Sequence, residues 1–91
     1  MIPEVKEGYW NRVKNKLFGL LCEREKNGEW DKFLDNIIIE LEGIPEDGRG
    51  INYYVLIYKL NSLRYLSYKY FRTTIFDCMT IIESFGGGRN A

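Results

Sequence analysis

Two stretches of the chain carry their apolar residues with a helical period. Between Tyr9 and Lys26 these are Trp10, Val13, Leu17, Leu20 and Leu21; between Glu29 and Glu42 they are Trp30, Phe33, Leu34, Ile37, Ile38 and Leu41. Steps of three and four residues return to one side of an α-helix, and the strict alternation of a half-buried strand occurs in neither stretch. The spacing predicts helices over about residues 9–27 and 29–42. Trp10 and Trp30 each open a stripe and read as core anchors.

Breaking residues set the remaining boundaries. Gly28 separates the first two helices, and Gly43-Ile44-Pro45 stops the second. A left-handed Gly43 would bring Ile44 against Ile39 in a Schellman stop, and Pro45 bars continuation. Asn52 reads as the N-cap of a third helix, with Ile51 stapled onto Leu56. Its inner face would hold Tyr53, Leu56, Ile57, Leu60, Leu63, Ser67, Tyr70 and Phe71. Neither Gly nor Pro interrupts residues 52–85, so one long, bent helix is allowed. A break at Arg72 to Thr74 is preferred, because Thr74-Ile75-Phe76-Asp77 has capping-box spacing and three successive β-branched residues weaken the helix there. The third and fourth helices are then expected at about 52–71 and 74–85, with Ile75, Cys78, Met79 and Ile82 inward. The expected fold is all-α: a single small bundle of three or four helices in one domain over residues 1–85. A flexible Gly-rich tail is expected at 86–91.

Composition removes whole classes of function. Ninety-one residues suffice for one domain, and 45% hydrophobic with 29% charged residues is the balance of a globular chain. Thirteen basic residues offset thirteen acidic ones, which argues against a generic nucleic-acid coat or a membrane-surface peptide. Without histidine there is no Ser-His-Asp or Cys-His site and no imidazole metal site. Cys22 and Cys78 cannot complete a four-ligand zinc site and read as reduced core thiols. The start lacks a basic segment followed by an apolar one, and no apolar run approaches the ~20 residues of a membrane span, so a cytoplasmic location is expected. Gly48-Arg49-Gly50 follows no strand and reads as a turn. No enzyme activity, cofactor or metal site is expected.

Charge is nevertheless segregated. Glu29 to Asp47 sets seven acids against Lys32 alone, including Asp31, Asp35, Glu42, Glu46 and Asp47 as a candidate acidic surface. Arg49 to Arg72 holds Arg49, Lys59, Arg64, Lys69 and Arg72 without an acid. The two segments could attract each other within the fold, or the acidic one could enter a basic groove of a partner. The basic segment also carries six of the seven tyrosines. In one continuous helix, Tyr54, Tyr58, Asn61, Tyr65, Tyr68 and Arg72 would share a face, flanked by Arg64 and Lys69. Such a face could pack against neighbouring helices, or serve recognition, since tyrosine and arginine dominate binding hot spots. Tyr54, Tyr58, Arg64, Tyr65, Tyr68, Lys69 and Arg72 are therefore the candidate partner-binding residues. A protein partner is favoured over nucleic acid, because the chain is neutral and Gly43 to Ile51 is too long for a helix-turn-helix turn. The alternatives are a nucleic-acid regulator using Lys59, Arg64, Lys69 and Arg72, and a homodimer through the tyrosine face.

In its small size, its Ile/Tyr/Lys/Asn-rich text, the acidic Glu29–Asp47 segment and the Tyr54–Arg72 face, the chain resembles small helical accessory proteins of Gram-positive phages and mobile elements. That resemblance implies a non-enzymatic inhibitor of a bacterial defence protein, of the anti-CRISPR type. It carries no residue roles.

Overall fold

The computed structural model describes residues 8–85. Among them four helices follow in order: α1 (Tyr9–Glu25), α2 (Trp30–Glu42), α3 (Ile51–Ser62) and α4 (Tyr68–Glu83), with 3₁₀ turns at Glu46–Gly48 and Leu63–Tyr65. The all-α bundle expected from the sequence is therefore present. The Gly-rich tail at 86–91 lies outside the described residues.

Cross-helix pairs give the topology. Lys16 meets Glu40 and the Gly19 backbone meets Phe33, so α1 and α2 are antiparallel. Asp35 meets Arg64 and the Leu41 carbonyl accepts from the Tyr53 hydroxyl at 2.9 Å, which orders α2 against α3. Asn52 bonds Ser84 and Lys59 faces Asp77, ordering α3 against α4. Lys14 with Glu83 and Phe18 with Phe76 close the ring between α4 and α1. The result is an up-down-up-down bundle in which each helix packs on its two sequence neighbours and α4 returns to α1.

Each helix contributes its apolar stripe to one core. Trp10, Val13, Leu17 and Leu20 come from α1, Leu34, Ile37 and Leu41 from α2, Tyr53, Leu56 and Leu60 from α3, and Phe71, Ile75, Cys78 and Ile82 from α4. Trp30 is half-buried and packs its ring edge-on to Phe71. Leu63 and Ile44 are buried from the connections. Full burial of such side chains stabilises by about 1.5–3 kcal/mol each.

Helix ends depart from the sequence reading in three places. The Schellman stop lies at the end of α1, where Asn27 takes the left-handed conformation at φ 60°. Gly28 N–H there donates to the Glu23 carbonyl and Asn27 N–H to that of Arg24, the pairing the motif requires. Gly43 instead stays right-handed, and Ile44 turns into the core while Ile39 remains exposed. Asn52 is not an N-cap, nor is Ile51 a staple: α3 starts at Ile51 after an extended Gly50, and Ile51 is 80% exposed. Arg49 explains the earlier start. Its guanidinium donates to the Ile44 and Glu42 carbonyls and lies over the Tyr53 ring, fixing the connection one residue before Asn52.

The largest correction concerns the break between the third and fourth helices. It falls at Leu63–Ser67, not at Arg72–Thr74, and Thr74 to Asp77 lies inside α4. Length supplies one reason: a straight helix over 52–85 would run about 50 Å, whereas the longest dimension of the molecule is 36 Å. Burial supplies the other. Phe71 and Ile75 are both fully enclosed and stand one turn apart, so they belong to one helix. Leu66 and Ser67 are extended, and the Leu66 carbonyl receives Arg24 Nη2 at 3.2 Å. The Arg24 guanidinium itself sits 4.6 Å from the Trp30 and Phe71 ring centres, holding the end of α1 against the turn into α4. As a consequence Ser67 and Tyr70 face outward, not inward.

Candidate functional site

The break at residues 63–67 divides the tyrosine face that a continuous helix would have carried. Tyr54 and Tyr58 project from α3 at 53% and 75% exposure, and Tyr65 from the 3₁₀ turn at 85%. Tyr68 and Arg72 belong to α4, and the Tyr68 hydroxyl donates to the Glu25 carboxylate on α1. That hydrogen bond, with a smaller contribution from burial, raises the Tyr68 pKa. The candidate partner-binding residues thus fall into two groups on different elements.

The α3 group is larger than the tyrosines alone. Ile51 and Val55 are exposed beside Tyr54 and Tyr58, at the spacing three, one and three that places all four on one side of a helix. The sequence contains this signal, although local spacing alone makes Ile51 a staple and leaves Val55 without a face. At the end of the helix Asn61 is exposed and Ser62 half-buried, and Tyr65 is exposed from the 3₁₀ turn that follows. Not one of these seven positions is charged, in a chain that is 29% charged. α3 is therefore apolar on two opposite sides: Tyr53, Leu56 and Leu60 are inside, while Ile51, Tyr54, Val55 and Tyr58 are open. A helix apolar all round is ordinarily covered all round.

The cations bordering this stripe are engaged elsewhere. Lys59 faces Asp77 on α4, and Arg64 is paired with Asp35 on α2. Segregated charge thus serves in part to hold neighbouring helices together. Of the four cations a nucleic-acid site would use, Lys69 and Arg72 are left, and they lie over the Tyr70 and Phe76 rings of their own helix. Phe76 meets Phe18 across the α1–α4 seam, both about half exposed, a second aromatic patch that periodicity alone did not single out.

The acidic candidates are dispersed. Asp31, Asp35 and Glu42 recur at steps of four and seven along one edge of α2, whereas Glu46 and Asp47 sit in the 3₁₀ turn beyond it. Asp31 accepts its neighbour's backbone N–H and Asp35 is taken by Arg64. Among the described residues, no cluster of three or more cysteine or carboxylate side chains is placed to hold a metal ion. No described helix is long and apolar enough to cross a membrane.

The two cysteines have different fates. Cys78 is fully enclosed as expected, and burial pushes its thiol up to about 12. Cys22 is exposed, correcting its assignment to the core: Leu20 and Leu21 already fill the inner side of α1, and the next position turns outward. Both are free thiols. No protein-family model matches the chain, and neither a curated protein nor a solved structure matches it.

Proposed function

We infer that the chain is a non-enzymatic protein-binding module whose contact surface is the outer side of α3, extended by Tyr65. The observation that carries this reading is the uncharged stripe of Ile51, Tyr54, Val55 and Tyr58, open to solvent on a helix whose other side already supplies the core. Tyrosines offer large contact area with a polar tip, and they retain hydrogen bonding when a partner covers them. The cations that border the stripe are engaged within the molecule, Arg49 with the Ile44 and Glu42 carbonyls, Lys59 with Asp77 and Arg64 with Asp35, which favours protein over nucleic acid. The resemblance to phage-encoded inhibitors makes bacterial defence proteins the first partners to screen.

The test uses the full chain as immobilised bait in bacterial lysate, beside the Tyr58→Glu chain, each with and without nuclease. A stoichiometric protein kept after nuclease and lost from Tyr58→Glu is the expected result. Capture that vanishes with nuclease would transfer the site to Lys69 and Arg72 on α4. Equal capture by both baits would remove the α3 side from the contact.

A further inference from the structure

The turn between α3 and α4 differs in kind from the other two connections. Gly28 separates α1 from α2, and Gly43, Pro45, Gly48 and Gly50 separate α2 from α3, whereas residues 51–83 contain neither Gly nor Pro. Helical geometry continues past α3 through the 3₁₀ turn to Tyr65, and Leu66 and Ser67 alone are extended, with ψ at 146° and 164°. Rotation about ψ at these two residues is nearly all that separates the turn from a continuous helix.

Local energetics favour that rotation. α4 begins without a side-chain cap, and among the described residues the N–H groups of Ser67, Tyr68, Lys69 and Tyr70 have no hydrogen-bond partner. A continuous helix would bring them the carbonyls of Leu63, Arg64, Tyr65 and Leu66. Leucine and arginine are also good helix formers. What opposes the rotation is tertiary: Leu66 packs on the core, and its carbonyl is held by Arg24.

The straightened form does not fit one molecule. A helix from Ile51 to Glu83 runs about 50 Å, against a longest dimension of 36 Å. Straightening carries α4 out of its seat and uncovers Phe71, Ile75, Cys78 and Ile82, with the sides of α1 and α3 that enclosed them. A second copy opened in the same way offers an identical seat. In the closed molecule α4 lies antiparallel to α3, with Asn52 against Ser84 and Lys59 against Asp77. Two long helices laid antiparallel reproduce both contacts between copies, and the α4 of each closes the core of the other.

We propose that α4 exchanges between two copies of this chain, with Leu63–Ser67 as the hinge, giving a domain-swapped dimer with one continuous helix over residues 51–83. The exchange does not depend on what the outer side of α3 binds. In the swapped form Tyr54, Tyr58, Tyr65, Tyr68 and Arg72 share one side of the long helix, so the hinge sets whether the tyrosine face is divided or whole. Because α4 must first leave a packed core, the two forms interconvert slowly, and refolding at high concentration favours the dimer.

The test mixes light and isotopically heavy full-length chains in urea, refolds them together at micromolar and at millimolar concentration, and separates the products by size. A dimer that grows with refolding concentration and outlasts dilution for hours is expected. Zero-length carbodiimide coupling of the isolated dimer then shows which chain supplies α4, since Lys14 lies 3.4 Å from Glu83. The Lys14–Glu83 product should carry mixed labels, while Lys16–Glu40, whose helices stay together, keeps a single label. Ser67→Pro fits the turn and not the helix, so it should lower the dimer fraction at least tenfold while the monomer stays folded. Ser67→Ala should raise that fraction severalfold. A chain that is monomeric at every refolding concentration, a singly labelled Lys14–Glu83 product, or a dimer undiminished in Ser67→Pro would overturn the exchange.

Discussion

Cys22 projects from α1 into solvent, while Cys78 is fully enclosed between α4 and the rest of the core. A thiolate is the reactive form, so burial that holds Cys78 neutral also makes it inert. In the native protein a thiol reagent should therefore titrate one cysteine quickly, and two only in denaturant. The same burial predicts an alkaline instability. The unfolded chain releases the Cys78 proton near its ordinary value of 9.0, whereas the folded chain keeps it until about 12. The stability is thus complete below that ordinary value and is lost as pH rises towards 12, at up to about 1.4 kcal/mol per pH unit. Tyr9, raised to about 12 by burial and the neighbouring Glu40, adds a later loss above 10. Urea midpoints measured from neutral to strongly alkaline pH should stay level and then fall. Cys78→Ala should delay the fall to the Tyr9 range, and a profile without any fall would contradict the enclosed thiol. Only the Cys78 half of this picture was legible in the sequence. Its spacing from Ile75 and Ile82 put it in the core, while Cys22 stands one place past a stripe whose last two members are adjacent.

At the scale of elements, the decisive feature is five residues, Leu63 to Ser67, that turn the chain from α3 into α4. They contain no Gly or Pro, which is why local signals placed the break elsewhere. What fixes them is tertiary: Leu63 buried beneath, Leu66 packed on the core, and Arg24 bonded to the Leu66 carbonyl. The stripe of α4 did hold a clue, since Phe71 stands four residues before Ile75 and extends its period backwards across the supposed break. Ser67 offers a clean discrimination. Its φ is −66°, its predecessor is extended, and among the described residues its N–H has no hydrogen-bond partner. Proline fits all three conditions. Ser67→Pro should therefore stabilise by about 0.4–1 kcal/mol through the unfolded state. Were residues 52–85 one helix, the same change would cost about 3 kcal/mol. Thermal unfolding of this single variant separates the two.

For the molecule as a whole, the ring of four antiparallel helices closes a core without using the outer side of α3. That leaves two kinds of apolar residue on one short helix, and stability distinguishes them. Leu56 is fully buried, so Leu56→Ala removes packed methyl groups and should cost 2–5 kcal/mol, in the range of a core truncation. Tyr58 is 75% exposed two positions on, and Tyr58→Ser at dilute protein should change unfolding free energy by no more than about 0.5 kcal/mol. If Tyr58→Ser costs as much as Leu56→Ala, the tyrosines belong to the architecture, and the surface argued here loses its basis. If it costs nothing, the fold has no need of a tyrosine there. Six neutral positions along α3, followed by Tyr65 in the next turn, in a chain otherwise dense with charge, are then explained by what covers them. This is also why the surface was half legible beforehand. Period and aromatic density marked Tyr54 and Tyr58, whereas the loss of Tyr68 to Glu25 and the gain of Ile51 and Val55 depended on where the chain turned.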